Sequence, residues 1–198
     1  MNFREEKTDE REPTREMKKM NFWKENTFQV LALVVAVTVM LWGDGLLKQV
    51  DTSKEKSLTG TNSAGIDWEY IGEVKNDNVK HGKGTVAWSN GDVYEGDFVN
   101  DYCTGKGKYT WSNGNVYEGD WVNGERTGKG IFTWSNGDVY EGDFVRGKIT
   151  GKGKCTWSNG DVYEGDFVDN ERHGYGKCTY SDGRVEEGNW ENNRFIKD

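Results

Sequence analysis

The sequence predicts an all-β fold, an elongated open array of stacked β-hairpins, together with one N-terminal transmembrane α-helix. Three observations carry this. The stretch Gly105 to Trp121 returns at one fixed period as Gly128 to Phe144, Gly151 to Phe167 and, more loosely, Gly174 to Trp190, and once upstream as Gly82 to Phe98. Each copy sets an Asn-Gly or Asp-Gly dipeptide between runs rich in Trp, Tyr, Val and Thr, a strong hairpin signal. Asn26 to Gly43 carries no charge. A lone hairpin is marginal in water, so copies this short must bury their apolar faces on one another.

The hairpin loop follows from the faces. A two-residue loop would set Tyr109 against Glu118 and Lys108 against Gly119, mixing charge and rings on both sides. A three-residue Ser112-Asn113-Gly114 loop, with Gly114 left-handed as a bulge residue, sets Tyr109 against Tyr117 and Gly107 against Gly119. It also puts Lys108 opposite Glu118 and Lys106 opposite Asp120 on the other face. The other copies repeat this with Lys83 and Asp97, Lys129 and Asp143, and Lys152 and Asp166. Like then meets like across the hairpin, which favours the three-residue loop.

One face thus carries rings and glycines, and the other carries paired charges. Stacked repeats align three aromatic files. The first is Trp88, Trp111, Trp134, Trp157 and Tyr180; the second is Tyr94, Tyr117, Tyr140 and Tyr163; the third is Phe98, Trp121, Phe144, Phe167 and Trp190. Glycines Gly105, Gly107 and Gly119 on the same face leave room for a ring from the next repeat to lie on the backbone. Aromatic pairs add roughly 0.5–1.5 kcal/mol beyond burial.

Tyr-Glu-Gly-Asp-Phe/Trp, then Asn-Gly or an equivalent, then Gly-Lys-Gly, then Trp-Ser-Asn-Gly, all in register, resemble the MORN repeat family over about Trp68 to Asp198. The resemblance implies an open all-β hairpin array, and members that act as scaffolds, membrane-junction proteins or targeting modules. The first copy (Tyr70-Ile71-Gly72-Glu73-Val74) has one extra residue before Gly82, and the last has Glu186 in place of Tyr and only a terminal half-repeat. Both read as end caps, which repeat arrays need.

Residues 1–25 hold seven Lys/Arg, seven Asp/Glu and the only proline, Pro13. With so little to bury, this tail is expected to be disordered. Residues 26–43 read as the transmembrane helix: eighteen residues of helix span about 27 Å, close to a bilayer core of ~30 Å. Phe22, Trp23 and Trp42 flank it as interfacial rings. A buried helix is disfavoured because the rest of the chain offers nothing helical to cover it, and Met40-Leu41-Trp42-Gly43 is a poor signal-peptide cleavage site. Just before the span stand Lys7, Arg11, Arg15, Lys18, Lys19 and Lys24, whereas an equal length after it holds only Lys48, Lys54 and Lys56. This bias places the N-terminus in the cytoplasm and the repeats on the opposite side. Residues 44–67, rich in Ser, Thr, Gly and Lys, read as a flexible linker to the array at 68–198.

From residue 57 onward, 16 Lys/Arg stand against 24 Asp/Glu, which accounts for the whole net charge of −8. Nucleic acid is excluded as a partner, and direct binding of anionic lipid by the repeats is disfavoured. Glu118 and Asp120 resemble an acid/base pair, but the pair recurs in every full copy with lysine partners opposite, so cross-strand ion pairing is the reading. His81 and His173 share one repeat slot four copies apart, a slot filled between them by Thr104, Thr127 and Thr150. That slot reads as a turn, and the two imidazoles are too far apart to share a metal. Cys155 and Cys178 fall on the aromatic face as packing residues; Cys103 reads as an exposed loop thiol, a candidate for an intermolecular disulfide. No nucleophile triad, phosphate loop or zinc spacing is present.

The chain therefore reads as a non-enzyme without metal or cofactor: a single-pass, membrane-anchored scaffold presenting a surface to protein partners, as an accessory subunit of a membrane complex. The candidate binding residues are Trp88, Tyr94, Trp111, Tyr117, Trp121, Trp134, Tyr140, Trp157 and Tyr163. The alternative is an extracytoplasmic module that binds a glycan or lipid headgroup on the same aromatic face. The two differ in whether the rings face solvent or one another.

Overall fold

The computed structural model describes residues 55–76 and 78–197. The expected charged tail (1–25) and transmembrane helix (26–43) lie outside the described residues. Among those described, no helix is long and apolar enough to cross a membrane.

Thirteen strands form one antiparallel sheet in strict sequence order. They are β1 (Glu55–Thr61), β2 (Asp67–Lys75), β3 (Val79–Trp88), β4 (Val93–Val99), β5 (Tyr102–Thr110), β6 (Val116–Val122), β7 (Glu125–Thr133), β8 (Val139–Val145), β9 (Lys148–Thr156), β10 (Val162–Val168), β11 (Glu171–Thr179), β12 (Val185–Glu191) and β13 (Arg194–Phe195). Among the described residues, β1 and β13 have only one neighbour each, so the sheet is open.

Two kinds of turn alternate along it. The odd-to-even connections from β3–β4 to β9–β10 use the Trp-Ser-Asn-Gly loop, and β11–β12 uses Tyr180-Ser181-Asp182-Gly183 in its place. The Gly114 N–H donates to the Trp111 carbonyl at 2.9 Å and the Trp111 N–H to the Asn115 carbonyl at 2.9 Å. Gly114 sits at φ 88°, and the flanking register is Tyr109 to Tyr117, Lys108 to Glu118 and Lys106 to Asp120. This is the three-residue loop with a left-handed bulge glycine that the faces demanded. From β4–β5 onward the even-to-odd connections are two-residue turns: Asn100–Asp101, Asn123–Gly124, Arg146–Gly147, Asp169–Asn170 and Asn192–Asn193 all have positive φ at both positions, as type I′ turns require.

Each even-to-odd pairing from β2–β3 to β10–β11 also slips once. Gly96 faces Gly107, yet its neighbour Asp97 faces Thr104, so β5 loops out two residues, Gly105 and Lys106. Gly105 takes φ 60° there. The Asp97 carboxylate fills the gap, accepting the Lys106 N–H at 3.1 Å. This bulge occupies the slot that the sequence assigned to a turn: His81 and Thr104 lie within β3 and β5.

Two further expectations are corrected. Residues 55–61, expected to be linker, form β1, in register with β2 from Glu55–Glu73 to Thr61–Asp67. Here Thr, Leu and Ser supply strand character, and the Asn62 side chain closes the turn by accepting the Ala64 and Ile66 amides, each at 3.0 Å. The ring over each glycine pair belongs to the same strand as one of the glycines and not to the next repeat. A Cβ on Gly119 would lie 2.5 Å from the Tyr117 hydroxyl, and one on Gly130 equally close. Residues i and i+2 share a strand face, so Tyr117 leans along β6 over Gly119 and across to Gly130 of β7.

Candidate functional site

The aromatic files differ sharply in what they offer. The tyrosine file is the core: Tyr94, Tyr117, Tyr140 and Tyr163 are at most 1% exposed. Each ring is met edge-on by two rings of the third file. Tyr117 meets Trp121 at 5.2 Å and Phe144 at 5.0 Å, and Tyr140 meets Phe144 at 5.3 Å and Phe167 at 5.1 Å. This zigzag of perpendicular rings suits the aromatic quadrupole. The hydroxyls are satisfied within the bulge, with Tyr117 donating to the carbonyl of Asp120 at 3.0 Å or of Thr127 at 3.3 Å. Trp121 is 5% exposed and donates its indole N–H to the Gly107 carbonyl at 3.0 Å. Tyr94, Tyr117, Trp121, Tyr140 and Tyr163 therefore hold the fold and cannot receive a ligand, because their faces, edges and polar atoms are all taken.

Trp88, Trp111, Trp134 and Trp157 behave differently. All four are half-buried and border the core. Three of them alternate with rings of the neighbouring slot in a continuous band. Centroid distances are 5.5 Å for Trp88–Tyr109, 4.5 Å for Tyr109–Trp111, 5.4 Å for Trp111–Phe132 and 4.7 Å for Phe132–Trp134. The band stops where that slot changes to Cys155 and Cys178, both buried. Of the nine predicted binding residues, these four tryptophans remain as surface.

Beside the third file runs a slot that the sequence reading overlooked: Lys80, Cys103, Arg126, Ile149 and Arg172, each one repeat after the last. Arg126 faces Trp121 across the sheet, and Arg172 faces Phe167. The Arg126 guanidinium carbon lies 5.1 Å from the ring of Phe132, 5.5 Å from Trp111, 5.6 Å from Tyr117 and 5.8 Å from Phe144. Its Nη2 donates to the Gly147 carbonyl at 2.7 Å. Burial lowers the Arg126 pKa from its ordinary value. Arg172 lies 4.4 Å from Trp190 and 5.4 Å from Trp157, and donates to the Asn193 carbonyl at 2.8 Å. Lys80 sits 4.0 Å over Trp68 and pairs with Asp101 at 3.7 Å. The signal was available as basic residues recurring at the repeat period beside Phe and Trp, but it was hidden by Cys103 and Ile149 between them.

Cys103 lies in β5 opposite Phe98, half-buried, and burial pushes its thiol up to about 11. The expected exposed, disulfide-forming loop thiol is thus a packing residue with little thiolate at neutral pH.

The opposite face carries the paired charges. Lys83 meets Asp97 at 2.5 Å, Lys106 meets Asp120 at 2.7 Å, Lys129 meets Asp143 at 2.7 Å and Lys152 meets Asp166 at 2.6 Å. Each Asp also accepts the bulge amide of the following repeat, so lysine and aspartate alternate across the sheet until Tyr175 takes the lysine place. Their partners are structural. Asp120 thus has the ion pair that the sequence suggested, whereas Glu118 faces Lys108 in register only, and His81 and His173 stand on β3 and β11, eight strands apart.

No curated protein matches the sequence significantly. Among solved structures, the chain is similar to the TCP domain of SAS-4 from Drosophila melanogaster, determined in complex with a proline-rich motif of Ana2. The identity is 16%, with 66% of this chain and 76% of that chain covered and a TM-score of 0.38. The profile of the MORN repeat matches residues 70–93, 94–116, 117–139, 140–162 and 163–183 in unbroken succession. With more than half its length in five such repeats, each built on the Tyr-over-glycine hairpin, the chain belongs to the MORN repeat family.

Proposed function

We propose that this protein is a membrane-anchored interaction scaffold: residues 26–43 hold it in a membrane, and the MORN array presents its aromatic face to a protein partner, as an accessory subunit of a membrane complex. The observation that carries this is the half-buried tryptophan band. The tyrosine and phenylalanine files close on each other, yet the Trp88–Trp134 band borders that core with ring surface left over. Aromatic side chains bordered by arginine are the composition of interface anchors. The Lys/Arg bias favours the array on the side of the membrane away from the N-terminus. No catalytic activity is assigned to the chain: in each Glu/Asp pair the aspartate is engaged by a lysine and a backbone amide.

The test is a pull-down of the full-length protein from mild detergent, with a version lacking 68–198 as control, followed by the double variant Trp111→Leu/Trp134→Leu. A stoichiometric protein partner lost in both establishes the reading. A monomer that retains no protein, but whose tryptophan emission shifts with glycans or lipid headgroups, replaces it with the ligand-binding alternative. The anchor is tested separately by alkaline extraction: a chain released from membranes as a peripheral protein would remove residues 26–43 as a span.

A further inference from the structure

We propose that Arg126 and Arg172 form two equivalent carboxylate-binding subsites on the aromatic face, engaged together by an extended acidic segment of a protein partner whose carboxylates stand about six residues apart. The inference rests on the protein-interaction reading above and names the chemistry of the partner.

A guanidinium presents five N–H donors. Arg126 uses one on the Gly147 carbonyl at 2.7 Å. Arg172 uses one on the Asn193 carbonyl at 2.8 Å and has a long contact with the Cys178 sulfur at 4.0 Å. Among the described residues, neither has a carboxylate within ion-pair distance. The cations nearest in kind to them are paired. Lys80, in the same slot, has Asp101, and the lysines at 83, 106, 129 and 152 each hold an aspartate. On the outer face the four bulge aspartates hold lysines, whereas Arg126 and Arg172 on the aromatic face have no counter-charge among the described residues.

Their setting suits an incoming carboxylate. Arg126 lies 5.1 Å from the Phe132 ring and 5.6 Å from Tyr117, and Arg172 lies 4.4 Å from Trp190 and 5.5 Å from Tyr163. Rings this close exclude water from part of each guanidinium. A carboxylate arriving there makes a charge-assisted bond in a medium less screening than water. Arg126 and Arg172 lie on β7 and β11, four strands apart, or about 19 Å at ~4.8 Å per strand. An extended chain advancing ~3.3 Å per residue covers that distance in about six residues. An even count also returns the second carboxylate to the same side of the segment. Between them the slot holds Ile149, buried and apolar, so the middle of the segment requires no charge. A flat anionic bilayer is a poorer fit, because the cations are recessed among rings and the array as a whole is acidic.

The probe is a fluorescein-labelled, otherwise Ser/Gly/Leu peptide of about twelve residues, with two glutamates six apart to match the ~3.3 Å rise. It is titrated by anisotropy against the full-length protein in non-ionic detergent at low salt. Replacing either glutamate by glutamine, or moving one by a single position, should weaken binding about tenfold, as loss of one charge-assisted bond predicts. Arg126→Gln and Arg172→Gln should each do the same, and the peptide variants keep the test valid if a protein variant folds poorly. Equal binding of the glutamate and glutamine peptides overturns the proposal. So does arginine-dependent binding seen only with phosphatidylserine vesicles. If the pulled-down partner stays bound to the Arg126→Gln/Arg172→Gln protein while the peptide arm fails, the scaffold reading stands and this inference falls.

Discussion

At the scale of single residues, the fold depends on pairs of facing glycines beneath a tyrosine. Gly119 and Gly130 approach so closely that a Cβ on Gly119 would meet the Gly130 Cα at 2.6 Å and the Tyr117 hydroxyl at 2.5 Å. The first of these is backbone and cannot swing away. Gly119→Ala should therefore destabilise the array by about 3 kcal/mol or more, the range of overpacking with backbone shift. Adding Tyr117→Phe should not rescue it, because the backbone clash remains. Tyr117→Phe alone removes the hydroxyl from the bulge carbonyls and should cost about 1 kcal/mol, the net worth of one hydrogen bond. Urea unfolding of the three variants checks this, and recovery of Gly119→Ala by the phenylalanine would show that the hydroxyl alone sets the spacing. The sequence showed that Tyr and Gly share a face, since alternation fixes that. It did not show which ring covers which glycine, because the tilt of a side chain along its strand is a packing outcome.

At the scale of the hairpin, the aspartate of each Tyr-Glu-Gly-Asp motif has two jobs of unequal weight. Asp120 takes the Lys106 ammonium on one oxygen at 2.7 Å and the Lys129 backbone N–H on the other at 3.1 Å. The lysine is exposed, and such pairs contribute about 0.2–1 kcal/mol. The amide has lost its strand partner to the bulge, and the carboxylate is its substitute, worth about 1.5–3 kcal/mol as a hydrogen bond to a charged group. Lys106→Ala should thus shift the thermal midpoint little and Asp120→Ala clearly more; equal shifts would make the ion pair the main contribution. The lysine partner was legible from register, but the amide was not, because no periodicity announces a two-residue bulge. The same scale contains a misfit. Arg146 occupies the first position of its type I′ turn at φ 48°, where the sister turns place Asn100, Asn123, Asp169 and Asn192. Left-handed backbone costs most L-residues about 1 kcal/mol and Asn less, and Arg146 is exposed. Arg146→Asn should raise stability by about 0.5–1 kcal/mol; an unchanged or lowered midpoint would mean that the arginine side chain has a role at that edge.

At the scale of the whole array, a repeated sequence made the architecture readable, since a loop or register that suits one hairpin must also suit its copies. The candidate site was less readable. Burial on a single sheet depends on how neighbouring rings lean, so nine aromatic candidates reduce to four half-buried tryptophans, and the arginine slot emerges only once β7 and β11 are seen among the rings. Hydrogen bonding to carboxylates and burial of tyrosines give the array a definite pH window. Several carboxyls lie below their ordinary values. In Asp138 the Ser158 amide and then the Asn136 side chain are responsible; in Asp120 the Lys106 ammonium leads, helped by the Lys129 amide against some burial. In Asp92 burial pushes upward, but hydrogen bonds from the Ser112 amide, the Tyr109 hydroxyl and Asn90 together outweigh it. A carboxyl depressed in the folded state stabilises above its unfolded value of about 3.9, and that contribution disappears as pH falls through the folded value. On the alkaline side, burial foremost, with the nearby charges of Glu73, Asp120 and Asp166, raises Tyr70, Tyr117 and Tyr163 to about 12. A raised phenol stabilises fully below the unfolded value of about 10 and loses that contribution as pH climbs through the folded value. Thermal midpoints followed by circular dichroism should therefore be flat from about pH 5 to 9, fall in acid below about pH 4, and fall again between about pH 10 and 12. In the alkaline limb the core tyrosines should ionise together with unfolding, so that tyrosinate absorbance and loss of ellipticity rise as one transition. Full tyrosinate formation near pH 10 with native ellipticity intact would mean that the tyrosine file is open to water, and the zigzag core would no longer account for what holds the repeats together.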